Sequence, residues 1–426
     1  MIAIGSEPIT VKGVYQLHFT VFTALAAFFL FLMLVLPTTF QLERGLVLAG
    51  LVSGGLIVAG TRWRVSRDIL ILWLLTLTVG GGCVLWGFLN GAPGALRVST
   101  VYILWPTVYM LFVGLVHSPR TIVLFEKALI FGVAVSSFMA IALLVGAMTG
   151  QAQLAKEILA FQGADIGLYA GFVELTLFNL TTVIYGLPYL AALFFSPQAH
   201  GWLTSRRWIG LVLLLVLAVC VVSGRRAFWL LAIVTPALVW GLFLMAGIRV
   251  RKRSVGVAAI SIVLVAAVGV VALGLNFGAL SDQLVSAFDF SGEQSASIRY
   301  QQYEALMSGW SDSPLIGHGL GASADLVTRS EEQPWAYELS YIGLLFQTGL
   351  LGLIIYSSAV LWVFYAGIKL VRLRPGTTQV ILPLLAGLAG FLLINATNPY
   401  LWKFDYLWTI FLPVAAINAY KTGRCI

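Results

Sequence analysis

Arginines stand at two places in a chain that otherwise carries little charge. Arg225 and Arg226 share a short loop between two apolar runs, and Arg299 lies in a long polar stretch. The planar guanidinium keeps its charge at any relevant pH and binds two phosphate oxygens at once. The pair therefore suits a diphosphate, with Arg299 as a third ligand to it. The alternatives are lipid-headgroup anchoring for the pair and a solvated or glutamate-paired side chain for Arg299.

A carboxylate stands at Glu338, where the polar stretch meets the next apolar run. Partial removal from water makes a carboxylate a stronger base, which activation of a sugar hydroxyl requires. The alternative is an acid that stabilises the N-terminus of the following helix. Glu338 is therefore a candidate catalytic base.

Four further polar residues are candidates for substrate binding, namely Tyr303, His318, Tyr337 and Asn398. A turn residue between glycines is the simpler interpretation of His318, and ordinary loop chemistry is the alternative for Asn398. The chain has 4 histidines, widely spaced, and no Asp-x-Asp pair. Metal ligands are usually grouped more closely than this, so the sequence predicts chemistry that needs neither a metal nor another cofactor.

The composition predicts a membrane protein. With 60% hydrophobic and 10% charged residues, the chain has too little polar surface for a soluble globule. A crossing of the bilayer needs about 20 apolar residues, and about 12 runs approach that length. The predicted crossings are 17–36, 44–60, 68–89, 99–117, 126–149, 175–196, 208–222, 227–248, 255–275, 341–368, 380–396 and 404–420.

The charge pattern predicts how these crossings are oriented. If Met1 is cytoplasmic, most of the 25 lysines and arginines fall in cytoplasmic loops, as positive residues in short loops do. Both termini are then cytoplasmic, and the net charge of +8 needs no nucleic-acid partner. The expected architecture is one all-α, polytopic transmembrane domain over 1–426, in contact with membrane lipids.

One long insert, residues 276–340, separates the ninth and tenth crossings and is expected to be a helical periplasmic loop. It holds more than half of the 17 carboxylates. A helix is predicted over 297–308, ending at Gly309, because glycine suits the position beyond a helix end. Pro334 is expected to open the next helix at its first turn. The insert therefore carries Arg299 and Glu338 on the outer face.

Four segments, taken in order and spacing, resemble the O-antigen ligase and polymerase superfamily. They are Ser-Gly-Arg-Arg at 223–226, Ile-Arg-Tyr-Gln-Gln-Tyr-Glu-Ala-Leu at 298–306, Pro-Leu-Ile-Gly-His-Gly-Leu-Gly at 314–321, and the run at 337–352 that begins Tyr-Glu-Leu-Ser. The resemblance extends over roughly 208–410, and the first half of the chain is similar in hydropathy only.

The resemblance implies a GT-C-like membrane glycosyltransferase of the bacterial inner membrane. Such an enzyme moves a glycan from undecaprenyl diphosphate to an acceptor on the periplasmic face, without a metal. By motif match, Arg225 or Arg226 and Arg299 would bind the carrier diphosphate and stabilise its departure. The acceptor would be a second glycan or lipid A-core, and a chain-length regulator is a further expected partner.

One position favours a polymerase over a ligase. Ligases of this superfamily usually carry a histidine where this chain has Glu338, whereas the repeat-unit polymerases tolerate glutamate. We therefore expect a Wzy-type polymerase of an O-antigen, capsule or exopolysaccharide. The first alternative is a WaaL-type ligase that delivers the glycan to lipid A-core or protein. A transporter or lipid flippase is the second, although its polar residues should lie near mid-membrane and its halves should be related.

Overall fold

The computed structural model describes residues 11–116, 118–169, 172–196, 205–223, 225–248, 294–324 and 332–423. The described chain is helical apart from one two-stranded antiparallel hairpin. The elements are α1 (Val11–Val35), α2 (Gln41–Arg62), α3 (Arg67–Leu89), α4 (Ala95–Ser99), α5 (Trp105–Leu115), α6 (Pro119–Met148), α7 (Ala152–Ile158), β1 (Asp165–Tyr169), β2 (Phe172–Thr176), α8 (Leu180–Phe195), α9 (Arg206–Val222), α10 (Arg226–Met245), α11 (Gln294–Asp312), α12 (Ser340–Leu373), α13 (Thr378–Asn395) and α14 (Trp408–Thr422).

Most predicted crossings coincide with helices. The crossing predicted at 255–275 lies outside the described residues, and each of the others falls on a helix, with α4 and α5 joined by a π-helical turn at Thr100–Leu104. Among the described residues, 6 helical stretches are long and apolar enough to cross a membrane. The protein is therefore a polytopic membrane protein, and the number of twelve crossings stays a prediction.

Helices α8 and α13 form the centre of the bundle. Every residue of α8 from Leu180 to Leu193 is buried, and α13 is almost as enclosed. A helix that is apolar all round belongs in such an interior. Gly387 on α13 allows the close approach, because a Cβ there would lie 2.4 Å from the ring of Tyr185. Tyr185 Oη then donates a hydrogen bond to the Leu384 carbonyl at 2.9 Å, which ties the two helices together.

The loops at one end of the bundle are bound to each other. We call it the insert end, because the described parts of 276–340 lie there. Arg44 forms a buried ion pair with Asp405 at 3.0 Å. Tyr406 Oη donates to the Phe178 carbonyl at 3.4 Å, and the Leu175 amide donates to the Ser223 carbonyl at 3.0 Å. The arginine loop at 223–226 therefore lies at the same end of the helices as the loop between α13 and α14.

Helix α12 is broken at Gly349. This residue has φ 62° and ψ −170°, far from helical values, so the element consists of a short half-helix at 340–348 and a longer helix from 350 onward. An alanine Cβ at this position would lie 2.3 Å from the Leu315 carbonyl oxygen, so only glycine fits the approach. The unusual length of the tenth predicted crossing is thus explained, since the longer part alone suffices to cross a bilayer.

Three local expectations differ from the structure. Helix α11 continues through Gly309 to Asp312. Gly309 is used there for close packing rather than for a helix end, because a Cβ at this position would lie 2.7 Å from the ring of Phe346. Pro334 does not open a helix, since α12 begins at Ser340. Strands β1 and β2 occupy the segment before α8, so the sixth crossing begins at Leu180 rather than at 175.

Candidate functional site

Helix α11 brings Arg299 against Glu338. Arg299 Nε donates a hydrogen bond to Glu338 Oε2 at 2.7 Å, and the two side chains are 39% and 18% exposed. Gln302 stands three residues after Arg299, on the same side of the helix. Its Oε1 accepts a hydrogen bond from the Glu338 amide at 3.2 Å. One turn of α11 thus holds both the carboxylate and the backbone of Glu338, immediately before the half-helix begins.

Gln302 has a free donor in a buried position. The residue is 1% exposed, and its Nε2 has no hydrogen-bond partner among the described residues. A buried polar group without a partner is destabilising, so native proteins rarely keep one without a reason. The amide lies beside the pair formed by Arg299 and Glu338, which makes it a candidate donor to a bound ligand.

The segment 314–321, which we call the glycine strip, fills the break in α12. Its residues Gly319 and His318 donate their backbone amides to the carbonyls of Gln347 and Phe346, at 2.8 and 3.1 Å. Beyond the break, the Leu350 amide donates to the Pro314 carbonyl at 2.9 Å. Backbone groups that a broken helix frees inside a membrane protein must find partners, and the strip supplies them.

His318 and Tyr337 pack within this arrangement. His318 Nε2 lies 2.7 Å from the Gly309 carbonyl, to which it donates, and its ring stacks on Phe346 with centroids 4.7 Å apart. Tyr337 is buried, and its hydroxyl accepts a hydrogen bond from the Ala324 amide at 2.5 Å. His318 therefore binds the strip to its neighbours, and Tyr337 binds the residues that follow the strip. Their predicted contact with substrate stays a prediction.

Gln347 is a residue that the sequence analysis missed. It is fully buried, its Nε2 donates to the carbonyls of Ala322 and Trp335, at 2.8 and 3.2 Å, and its Oε1 accepts from the Gly321 amide at 3.2 Å. The signal was available, because an amide inside an apolar run is costly and usually has a structural or functional partner.

The arginine loop is tied to the hairpin. Arg225 occupies the N-cap position of α10, and its Nε donates to the Leu175 carbonyl at 2.9 Å. The same guanidinium donates to Thr176 Oγ1 at 3.0 Å and lies 3.3 Å from Glu174 Oε1. Arg226 is the first residue of α10. Strand β2 thus fixes the Arg225 side chain while leaving it partly exposed at the insert end.

Two of the predicted site residues are in direct contact, and the rest lie at the same end of the bundle. Arg299 and Glu338 form the ion pair, and Tyr337 precedes Glu338 in the chain. The Asn398 carbonyl accepts a hydrogen bond from Ser340 Oγ at 2.9 Å, two residues beyond Glu338. Arg225 pairs with Glu174 at 3.3 Å and Arg299 with Glu338 at 2.7 Å, so the two arginines have different carboxylate partners.

Tyr303 is exposed on α11, one turn beyond Arg299.

Within the described ranges, no three histidine, cysteine or acidic side chains are grouped in a way that could hold a metal ion. The metal-independent, cofactor-free chemistry that the sequence suggests remains a prediction.

The arginine loop, α11, the glycine strip and the half-helix all fall within one segment of the chain. Residues 210–357 match the Wzy_C family model, which is described as O-antigen ligase. This Wzy_C match confirms the resemblance seen in the motifs and covers roughly a third of the chain. Every predicted site residue except Asn398 lies inside it. No curated protein matches the chain.

The Wzy_C match gives the coarse function. The matched segment implies a polysaccharide-assembly enzyme of the O-antigen ligase or polymerase type, which transfers glycan from a lipid-linked substrate. The apolar helices make the protein a multi-pass membrane protein, and residues 210–357 resemble a bacterial surface-polysaccharide family.

Proposed function

We propose that this protein polymerises oligosaccharide repeat units that are linked to undecaprenyl diphosphate, on the periplasmic face of the bacterial inner membrane. The proposal rests above all on one observation, the contact between Arg299 and Glu338 inside the Wzy_C segment. A cation that can hold a diphosphate and a carboxylate that can take a proton lie 2.7 Å apart. Glycan transfer from a diphosphate carrier needs both groups.

The transfer step uses each group once. A hydroxyl oxygen of the acceptor sugar forms a bond to the anomeric carbon of the donor glycan. The bond from that carbon to the diphosphate oxygen breaks, and its electron pair leaves with undecaprenyl diphosphate. Glu338 takes the hydroxyl proton, and the negative charge that develops on the diphosphate is stabilised by Arg299 together with Arg225 or Arg226.

The ion pair places Arg299 where it can exchange partners. A diphosphate carries more negative charge than a carboxylate and competes for the same guanidinium. Donor binding therefore draws Arg299 from Glu338 towards the diphosphate.

The polymerase is favoured over the ligase by Glu338 itself, since ligases of the superfamily usually carry histidine there. The ligase, which delivers the glycan to lipid A-core or to protein, remains the second candidate because the matching family model is described as O-antigen ligase. Both candidates share the donor and the chemistry and differ only in the acceptor. A chain-length regulator is the further partner that a polymerase would need.

The test uses purified protein and a lipid-linked repeat unit, with and without lipid A-core. We expect a ladder of lengthened glycans without core. A product that forms only with core would make the protein a ligase. Movement of the lipid-linked unit across a vesicle membrane without any new glycosidic bond would replace the enzyme with a flippase.

Substitutions test the proposed diphosphate ligands in the same assay. Arg225→Ala, Arg226→Ala and Arg299→Ala should each lower transfer strongly while the protein still inserts into the membrane. Arg97→Ala is the matched control, because Arg97 is an exposed arginine on α4. Full transfer by all three site variants would remove the arginines from the proposed mechanism.

A further inference from the structure

A cavity of about 430 Å³ lies between α3, α5, α12, α13 and α14. Its wall is almost entirely apolar, and it includes side chains from opposite ends of the bundle. Ser340 and Asn395 line it at the insert end, and Ile69, at the first turn of α3, lines it near the other end. The cavity therefore extends along much of the depth of the helices.

The cavity reaches the outer surface of the bundle. Leu361 on α12 is part of its wall and is 66% exposed. Ser357, one helical turn earlier, also lines it and is exposed. Side chains exposed in the middle of an apolar helix face lipid in a membrane protein. A lipid chain could thus enter the cavity sideways, between α12 and α3.

The polar end of the cavity adjoins the candidate site. Ser340, which lines it, is two residues from Glu338. Asn395 also lines it and is 0% exposed, and its Oδ1 accepts a hydrogen bond from the Leu401 amide at 3.0 Å. Its side chain also lies against the Tyr341 hydroxyl, which lines the same cavity. Buried polar side chains at one end of an otherwise apolar cavity suit a ligand with an oxygen-rich head and a long hydrocarbon tail.

We propose that this cavity binds the polyprenyl tail of the carrier lipid, with the diphosphate at the polar end formed by Ser340, Tyr341 and Asn395. This inference rests on the proposed function and adds the location of the tail. A polyprenyl diphosphate has a single chain and an anionic head, which fits one cavity whose polar end includes Ser340, two residues from Glu338. A membrane phospholipid would need space for two chains, so we assign the cavity to the carrier.

Two adjacent serines on α12 allow a matched test. Ser357 lines the cavity, whereas Ser358 is exposed and does not line it. We expect Ser357→Trp to weaken binding of undecaprenyl diphosphate about tenfold, because an indole would displace one or two methylene groups and each contributes about fourfold. Ser358→Trp should bind as wild type does. Farnesyl diphosphate, which has the same head and a short tail, should bind both variants equally.

Binding is measured on the full-length protein in nanodiscs, by displacement of a photoreactive polyprenyl diphosphate whose labelled peptide is then identified. Label on the residues of the cavity wall supports the assignment. Equal affinity of both tryptophan variants for undecaprenyl diphosphate would overturn it. Labelling of the wall by a photoreactive phosphatidylethanolamine that undecaprenyl diphosphate does not displace would also overturn it.

The same variants separate this inference from the proposed function. If the proposed function is wrong, wild-type protein forms no glycosidic bond with any acceptor. If only the tail site is wrong, wild-type protein transfers glycan and Ser357→Trp transfers it equally well at every donor concentration. If both are right, Ser357→Trp raises KM for the undecaprenyl-linked donor about tenfold with little change in kcat.

Discussion

Replacement of Gln302 by methionine separates ligand binding from stability. Methionine has nearly the same length and no hydrogen-bonding amide, so two effects oppose each other. The Glu338 amide loses its acceptor, which costs about 1 kcal/mol for an ordinary hydrogen bond and more if the N–H stays buried. The buried Nε2 that lacks a described partner also disappears, which recovers about 1–3 kcal/mol.

The two contributions nearly cancel, so we expect the melting temperature of Gln302→Met to stay within a few degrees of wild type. Glycan transfer should respond differently. A hydrogen bond from Nε2 to a charged diphosphate oxygen contributes about 1.5–3 kcal/mol, so its loss should lower kcat/KM roughly tenfold to hundredfold.

Two measurements check this prediction, thermal unfolding in detergent and transfer kinetics with a lipid-linked donor. Gln301→Met is the matched control, because Gln301 is the exposed neighbour on α11. Unchanged kcat/KM in Gln302→Met would show that Nε2 does not reach the ligand. A large loss of melting temperature would show that the glutamine serves the fold, and the inference from its free donor would be refuted.

Three further substitutions have defined outcomes. Gly349→Ala places a Cβ 2.3 Å from the Leu315 carbonyl oxygen at φ 62°, so both thermal stability and transfer should fall, whereas Gly376→Ala, which meets nothing within 4 Å, should behave as wild type. Arg225→Lys should lower kcat/KM about tenfold or more with normal membrane insertion, since lysine lacks the planar fork; unchanged kinetics would remove Arg225 from the site. Asn395→Asp keeps the acceptor for its backbone partner but replaces the donor with a negative charge, so KM for the donor should rise about tenfold, and an unaltered KM would contradict this role.

Hydropathy was sufficient to locate the described membrane helices, because the thickness of the bilayer sets the length of an apolar run. It could not show that α12 is broken, since Gly349 lies in a run that is otherwise apolar. The break depends on the glycine strip, which precedes α12 in the sequence and contacts the break only in the folded protein. The composition of the loop before α8 did not predict β1 and β2, although strand β2 holds the Arg225 side chain.

The candidate site was partly predictable. Charge in an apolar chain identified Arg299 and Glu338, because such residues are costly and rarely kept without a purpose. Pairing with a glutamate was one of the alternatives for Arg299, and the structure supplies the partner. Gln302 was missed because an amide carries no charge, and its importance depends on burial and on a missing partner.

An exchange of the two charges tests most directly whether the pair of Arg299 and Glu338 carries out the reaction. The double variant Arg299→Glu with Glu338→Arg keeps an ion pair at the same place, while each single variant leaves two like charges in contact. We expect the double variant to be as monodisperse and thermally stable as wild type and yet to form no glycan ladder from the lipid-linked repeat unit. Recovery of near wild-type transfer by the double variant would show that the pair only supports the fold, and would contradict its assignment as the reaction centre.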